Sequence, residues 1–306
     1  MNIDMRDAFF DELYSIACKD KQVMLLTADM GARSIDKFRK DFPTQFINMG
    51  ISEQNMISVA VGLALSGKKV FVYSIIPFVT YRCYEQIKID ICGMNLPVTI
   101  IGIGAGFSYA GEGPTHYGTQ DIALMRTLPQ IKILNSSDGI SAKKFAEISY
   151  KSNGPIYVRI DKEKVDSIHS EDEDFSRGFS IFREGKDILL ITTGIMLEKI
   201  LEIADRIQQY SIRATIIDLY QIKPINKQLL EIIGKSRETI VIEENNLSGG
   251  IGSAISEALN DENRNVRIKR FAIADVDCLE TGSRENLHQF FGIDIDTIVD
   301  KIMSWN

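Results

Sequence analysis

The feature that most limits what this chain can fold into is a series of short, unbroken apolar runs. They are VMLLT at Val23–Thr27, KVFVYSI at Lys69–Ile75, VTIIGI at Val98–Ile103, the core of DILLITTG at Asp187–Gly194 and that of TIVIEE at 239–244. A strand that covers one face of a core alternates apolar and polar side chains, whereas a strand buried on both faces does not, and two-sided burial is the mark of parallel sheets. Between these runs lie segments with apolar residues at helical spacing, beginning with Met5, Ala8, Phe9, Leu13, Ile16 and Ala17. Alternating helix and strand predicts an α/β fold, with parallel or mixed sheets packed between helices in three layers.

The alternation continues through Phe46–Met49 as strand, Glu53–Ser66 as helix and a helix from about Phe78 to Cys92, then Lys132–Leu134, Ser141–Lys151 and Ile156–Ile160. It lapses between Asp161 and Arg183, where six acidic residues fall between Asp161 and Glu173, and resumes at Asp187. The reading is two domains, 1–162 and 186–306, joined by a solvated linker at 163–185. A chain of 306 residues is long enough for each domain to bury its own core.

Charge narrows the function classes. With 35 Lys and Arg against 42 Asp and Glu, the net charge is −7, which argues against general binding to nucleic acid or membrane surfaces while leaving room for a locally positive pocket. The N-terminus carries acids where a secretory signal has bases, and no segment approaches the ~18–20 apolar residues of a membrane span. Cys18, Cys83, Cys92 and Cys278 show neither disulfide nor metal-ligand spacing. Buried, reduced thiols in a cytoplasmic protein are expected, with no metal ligands from this chain.

Four motifs stand out. GISEQNM, Gly50–Met56, places Glu53 in the first turn of a helix that follows a strand; a carboxylate is favoured there by the dipole, and the carboxyl end of a parallel strand is also where open α/β sheets bind ligands. GIGAGFSYAGEGPTHYGTQD, Gly102–Asp121, is a long glycine-rich loop carrying His116, one of three histidines; loops of this length in a compact domain are more often functional than not. SIIPFVTYRCYEQI, Ser74–Ile87, spaces Phe78, Tyr81 and Tyr84 three apart, which is ordinarily a core pattern. GGIGS, Gly249–Ser253, precedes a helix as phosphate-cradling turns do, but such a turn equally serves close packing.

In this order the motifs resemble the second half of a transketolase, and the resemblance spans essentially the whole chain. GISEQNM is similar to the family's Gly-Ile-x-Glu segment, and GEGPTH followed by Asp121 is similar to the Gly-Pro-Thr-His loop shared with 1-deoxyxylulose-5-phosphate synthases. The resemblance implies a pyrimidine-binding domain followed by a transketolase C-terminal domain, with thiamine diphosphate and Mg²⁺ as cofactors. It implies that Glu53 hydrogen-bonds the N1′ nitrogen of the aminopyrimidine, a role that requires a protonated carboxyl, and that Phe78 and Tyr81 stack on that ring. It places Asp29 near the cofactor and the dimer interface, and His116 on the donor's carbonyl and hydroxyl groups. Arg6 in MRDAF and Arg159 in YVRID match arginines that grip a sugar phosphate.

Three departures from the family pattern lie around the substrate. Glu112 stands where an aspartate commonly reads hydroxyl stereochemistry, Gly104 replaces a phosphate-binding histidine, and Arg33 falls near a phosphate-binding serine position. They imply an anionic substrate of altered shape, contacted by His116, Glu112, Arg6, Arg33 and Arg159. A fourth departure is larger: the sequence contains no Gly-Asp-Gly, the segment that holds the diphosphate through Mg²⁺. The metal's ligands are therefore expected on a separate diphosphate-binding polypeptide, with the active site built between chains in an α2β2 assembly. The C-terminal domain then supports the interface and has no catalytic role.

The leading expectation is the pyrimidine-binding subunit of a split transketolase, transferring a two-carbon ketol unit between sugars. Two rivals are retained: a 2-oxo acid dehydrogenase β subunit or a synthase-like carboligase using the same cofactor, and a non-catalytic scaffolding subunit.

Overall fold

The computed structural model describes residues 2–305. The chain divides into two compact units. The first holds Met1–Ala105 and Leu124–Glu173, the second Gly106–Ala123 and Asp174–Asn306.

In the first unit the strands are β1 (Asn2–Asp4), β2 (Val23–Thr27), β3 (Phe46–Asn48), β4 (Lys69–Ile75), β5 (Val98–Ile103), β6 (Lys132–Asn135), β7 (Ile156–Ile160) and β8 (Lys164–Asp166). Six of them form parallel neighbours in the order β6-β7-β5-β4-β2-β3. Every residue of β2, β5 and β7 is buried, which is why their sequences show no alternation: each face meets a layer of helices. One layer is α1 (Met5–Ala17), α2 (Arg33–Asp41) and α7 (Gly139–Lys151); the other is α3 (Glu53–Leu65), α4 (Ile76–Thr80), α5 (Tyr84–Gln86) and a π-helix at Ile87–Cys92. α6 (Asp121–Arg126) leads into β6. Each fully buried Ile, Leu or Val adds roughly 1.5–3 kcal/mol of transfer free energy.

Local chemistry sets the helix starts. Asp4 caps α1 by accepting from the backbone N–H groups of Arg6 and Asp7, at 3.0 and 3.1 Å. Asp138 caps α7 in a box with Ser141. The helix expected from Phe78 to Cys92 is broken into α4, α5 and the π-helix. Thr80 Oγ1 donates back to the Ile76 carbonyl at 2.6 Å, a bond that competes with regular helix geometry.

The second unit holds β9 (Ser180–Arg183), β10 (Ile188–Thr192), β11 (Ala214–Asp218), β12 (Gln221–Lys223), β13 (Thr239–Asn246) and β14 (Ile268–Ile273), with α8 (Met196–Gln208), α9 (Lys227–Gly234), α10 (Ile251–Asp261), α11 (Arg284–Phe291) and α12 (Ile295–Ser304). Its sheet runs β14-β13-β10-β11-β9, parallel except for β9.

The acidic segment read as a solvated linker is ordered at both ends. β8 pairs antiparallel with β1, and β9 pairs with β11. Within it His169 is buried: its backbone N–H donates to Asp138 Oδ2 at 2.7 Å and its Nδ1 lies 3.2 Å from the same oxygen. Burial opposes ionisation of Asp138, yet His169 and the backbone donors hold its carboxyl well below the usual range. By its contacts, the glycine-rich loop at 106–123 groups with the second unit. Of the cysteines, Cys83 and Cys92 are buried as expected, Cys278 is intermediate and Cys18 is exposed. No helix among the described residues is long and apolar enough to cross a membrane.

Candidate functional site

The carboxyl ends of β2, β3 and β4 are adjacent in the sheet, and the sequence places Asp29, Glu53 and Phe78 just beyond them. Asp29 has φ +56°, a left-handed conformation that aspartate tolerates when its side chain bonds locally. The local partner is Asn48, the last residue of β3. Its Oδ1 accepts from the Asp29 and Gly50 N–H groups, both at 3.0 Å, and its Nδ2 donates to Asp29 Oδ1 at 3.1 Å. Asn48 thus ties the exits of two parallel strands together, immediately before Glu53.

Glu53 opens α3 and is only 5% exposed. Ser74 Oγ, on β4, donates to its Oε1 at a long 3.5 Å, and Arg82 Nη1 approaches its Oε2 at 3.4 Å. The Arg82 guanidinium also lies over the Phe78 ring, 4.0 Å from the centroid, and Gln54 Nε2 donates to the Arg82 carbonyl at 2.9 Å. One planar nitrogen-rich cation therefore already stacks on Phe78 while facing Glu53. A ring face and a buried carboxyl thus share one planar, hydrogen-bonding partner. Burial and the Glu53 carboxylate push the Cys83 thiol up to about 12, partly offset by Arg82. Tyr81 is half-buried.

Arg6 lies in the first turn of α1. Burial opposes its charge, but Tyr73, Asp4 and Asp7 outweigh that and raise the guanidinium above its ordinary value. Asp4 pairs with it at 3.5 Å, while its buried Nε has no hydrogen-bond partner among the described residues. Arg33 is 82% exposed and lies 3.7 Å from Asp7, so Arg6 and Arg33 gather around the same carboxylate. Arg159 is buried on β7. Ser136 Oγ reaches both the Arg159 carbonyl, at 3.2 Å, and Met5 Sδ, at 3.5 Å, bringing the start of α1 alongside β7.

His116 ends a short 3₁₀ turn at Pro114–His116 and is half-buried. Thr115 Oγ1 is 2.9 Å from its Nδ1, and Tyr109 meets the imidazole edge-on at 5.9 Å; both orient the ring. Glu112, exposed, stands on the same loop. The GGIGS turn is not open to an outside anion. Glu243 fills it, accepting from the N–H groups of Ile251 and Gly252 at 2.7 and 2.9 Å, so the chain's own carboxylate caps α10. Among the described residues no group of three or more His, Cys, Asp or Glu is placed to hold a metal ion.

Sequence reasoning missed Arg82, Ser74 and Asn48. Arg82 lies inside the aromatic motif, four residues beyond Phe78, but nothing in the spacing marks it as a partner of Glu53.

Residues 1–167 match the family model of the transketolase pyrimidine binding domain, and 179–298 match that of the transketolase C-terminal domain. One of the subunits of an apulose-4-phosphate transketolase from Actinobacillus succinogenes is 32% identical over 274 residues, covering 89% of this chain and 88% of that one. A 6-deoxy-6-sulfo-D-fructose transketolase subunit, SqwH, from Clostridium sp. is 31% identical over 299 residues, covering 96% and 92%. The solved structure of a split gene transketolase, an inactive β4 tetramer, aligns with a TM-score of 0.88 at 29% identity, covering 99% of this chain and 98% of that chain. With both domain models matched in order and relatives above 30% identity matched along most of their length, the chain belongs to the transketolase family.

Proposed function

We propose that the chain is the pyrimidine-binding subunit of a split, thiamine diphosphate-dependent transketolase that moves a two-carbon ketol unit between anionic sugars. The observation that carries this reading is Glu53, buried at the start of α3 and facing a planar cation stacked on Phe78. Thiamine diphosphate, when bound, supplies the electron sink that lets a ketose carbon–carbon bond break and re-form on an aldehyde acceptor. Glu53 holds the ring nitrogen of the aminopyrimidine and shares a proton with it, the general-acid part of the reaction. Phe78 and Tyr81 flank the ring, and Asp29, fixed by Asn48, shapes the adjoining strand exit.

On the substrate side, His116 donates to oxygen atoms of the donor, where hydrogen bonds that strengthen as charge develops lower the barrier. Glu112 reads the donor's hydroxyls. Arg6, with its spare Nε, takes the oxyanion tail together with Arg33 and Arg159; guanidinium forks suit tetrahedral oxyanions. The two transketolase relatives are named for a sugar phosphate and a sulfo-sugar, and both tails are oxyanions.

The partner is a diphosphate-binding polypeptide that supplies the Mg²⁺ ligands, assembled with this chain as α2β2 in the cytoplasm. Support comes from subunit-level relatives of matching length, from the sequence's lack of Gly-Asp-Gly, and from the exposed apolar Ile51, Leu65, Ile89 and Met94 on and beside α3 and the π-helix. Mixing the chain with that polypeptide, thiamine diphosphate and Mg²⁺ is expected to produce ketol transfer that neither polypeptide shows alone. Release of carbon dioxide from a 2-oxo acid in its place would refute the assignment.

A further inference from the structure

The second unit contains a buried charged cluster that the proposed chemistry does not use. Glu244, on β13, accepts from Arg284 Nε at 2.7 Å and also from Arg284 Nη2, and it bonds His288 Nε2; Lys199 Nζ lies 2.6 Å from His288 Nδ1. A His288 tautomer protonated at Nε2 satisfies both contacts, donating to Glu244 and accepting from Lys199. Glu244, Arg284 and His288 are each 5% exposed or less. A buried cluster of this kind fixes its members in one geometry, because breaking the Glu244–Arg284 pair leaves an uncompensated charge and breaking either His288 contact leaves a buried polar atom without its partner.

What the cluster touches is the loop carrying His116. A Cβ at Gly106 would sit 1.9 Å from Glu244 Oε2, and Gly106 has φ +56°, so only glycine lets the loop lie this close. The next two residues of β13 continue the contact: Asn245 Nδ2 donates to Asp121 Oδ1 at 3.2 Å, and the Asn246 N–H donates to the Thr119 carbonyl at 2.8 Å. From the other side, Tyr117 Oη donates to the Glu280 carbonyl at 2.5 Å and lies 3.1 Å from the Ala110 carbonyl, and the Gly282 N–H donates to the Ala110 carbonyl. Phe107 stacks on Phe291 of α11, 5.6 Å between centroids, and meets Tyr117 edge-on at 5.1 Å. Within the loop Gly106 and Gly118 pair in an antiparallel bridge, with N–H···O distances of 2.9 and 3.0 Å in the two directions. Both ends of the loop and its middle are thus clamped by β13, by the segment before α11 and by α11 itself.

We infer that the C-terminal domain is the positioning element of the substrate site: the end of β13 and the 280–291 segment, locked by the Glu244–Arg284–His288 cluster, set where Glu112 and His116 are presented. The inference deepens the proposed function and rests on His116 acting on the donor. Tyr117, Asn245 and Glu244 are positioning residues that act through the loop.

The test uses Tyr117→Phe, which keeps the ring and removes the phenol, and Asn245→Ala, each in the complex with the diphosphate-binding partner. Hydrogen exchange of the 106–121 amides is expected to speed up at least tenfold in both variants, with exchange in β2, β4 and β5 unchanged. Thiamine diphosphate affinity by calorimetry should stay within twofold, while kcat/KM for the donor, probed with 6-deoxy-6-sulfo-D-fructose and apulose 4-phosphate, falls at least tenfold through a raised donor KM. Unchanged loop exchange in both variants, or a loss of transfer matched by an equal loss of cofactor affinity, overturns the inference. Should the wild-type complex turn over neither donor, the functional reading falls, and the exchange measurement still decides whether the C-terminal domain holds the loop.

Discussion

Replacing Arg82 with alanine is expected to tighten thiamine diphosphate binding. In the proposed placement of the aminopyrimidine on Glu53 and Phe78, the Arg82 side chain occupies both of the ring's partners and would have to leave before the ring binds. The cost of its departure follows from two contacts. The 3.4 Å pair joins a carboxylate 6% exposed to a guanidinium 51% exposed, so solvent screening limits it to about 0.5–1 kcal/mol. The stacking on Phe78, 4.0 Å from the centroid, adds about 0.5–1 kcal/mol for a partly exposed cation–π contact. Together they amount to about 1–2 kcal/mol, a roughly 5- to 30-fold decrease in Kd at 1.4 kcal/mol per decade. Titration calorimetry of thiamine diphosphate with Mg²⁺ into the two-subunit complex measures this directly. Arg82→Lys should give a smaller gain, because a compact ammonium keeps the charge and loses the planar stack. An Arg82→Ala Kd within twofold of wild type, or weaker, would refute the reasoning and make Arg82 a bystander or a ligand.

Other predictions bear on the fold and its charges. Leu190→Ala, at a fully buried position of β10, should cost about 2–5 kcal/mol, read as a lowered midpoint in urea unfolding. Burial opposes ionisation of Glu244, but Arg284 and His288 hold its carboxyl well below the usual range. A carboxyl depressed in the folded state contributes stability that is present above its unfolded value, about 4.3, and is lost as pH falls toward the folded one. Thermal unfolding should therefore show stability dropping below about pH 4 in the wild type, and Glu244→Gln should be less stable at pH 7 with a flatter acid limb. In native protein a thiol reagent should modify the exposed Cys18 first and leave Cys83 unreacted until unfolding, since its thiol is pushed up to about 12.

How far the sequence could be read depended on range. The β2, β4, β5, β10 and β13 runs announced themselves because a strand buried on both faces cannot alternate, and Glu53, Phe78 and His116 are proposed as site residues because each sits in a short motif at a strand exit or in a glycine-rich loop. β8 was hidden because a short strand with exposed Lys164 and Asp166 around a buried Val165 offers a single apolar residue in an acidic stretch. Asn48 and Arg82 act on neighbours 19 and 29 residues away, and Asn245 on Asp121 is separated by 124. Contacts across the fold leave no periodicity. For the same reason the sequence reading gave the C-terminal domain only an interface role: nothing local in Glu244, Arg284 or His288 says that they meet, or that Gly106 lies against them.

Glu53 of this chain is proposed to activate a cofactor whose diphosphate is held by another polypeptide. The most direct test is the exchange rate of the thiazolium C2 proton of thiamine diphosphate bound to the two-subunit complex, followed by NMR after rapid mixing with D₂O. Fast exchange is predicted in the wild-type complex, with a loss of about 10²-fold or more in Glu53→Gln, in the range of a positioned general acid–base group. An exchange rate for Glu53→Gln within twofold of wild type would contradict that role.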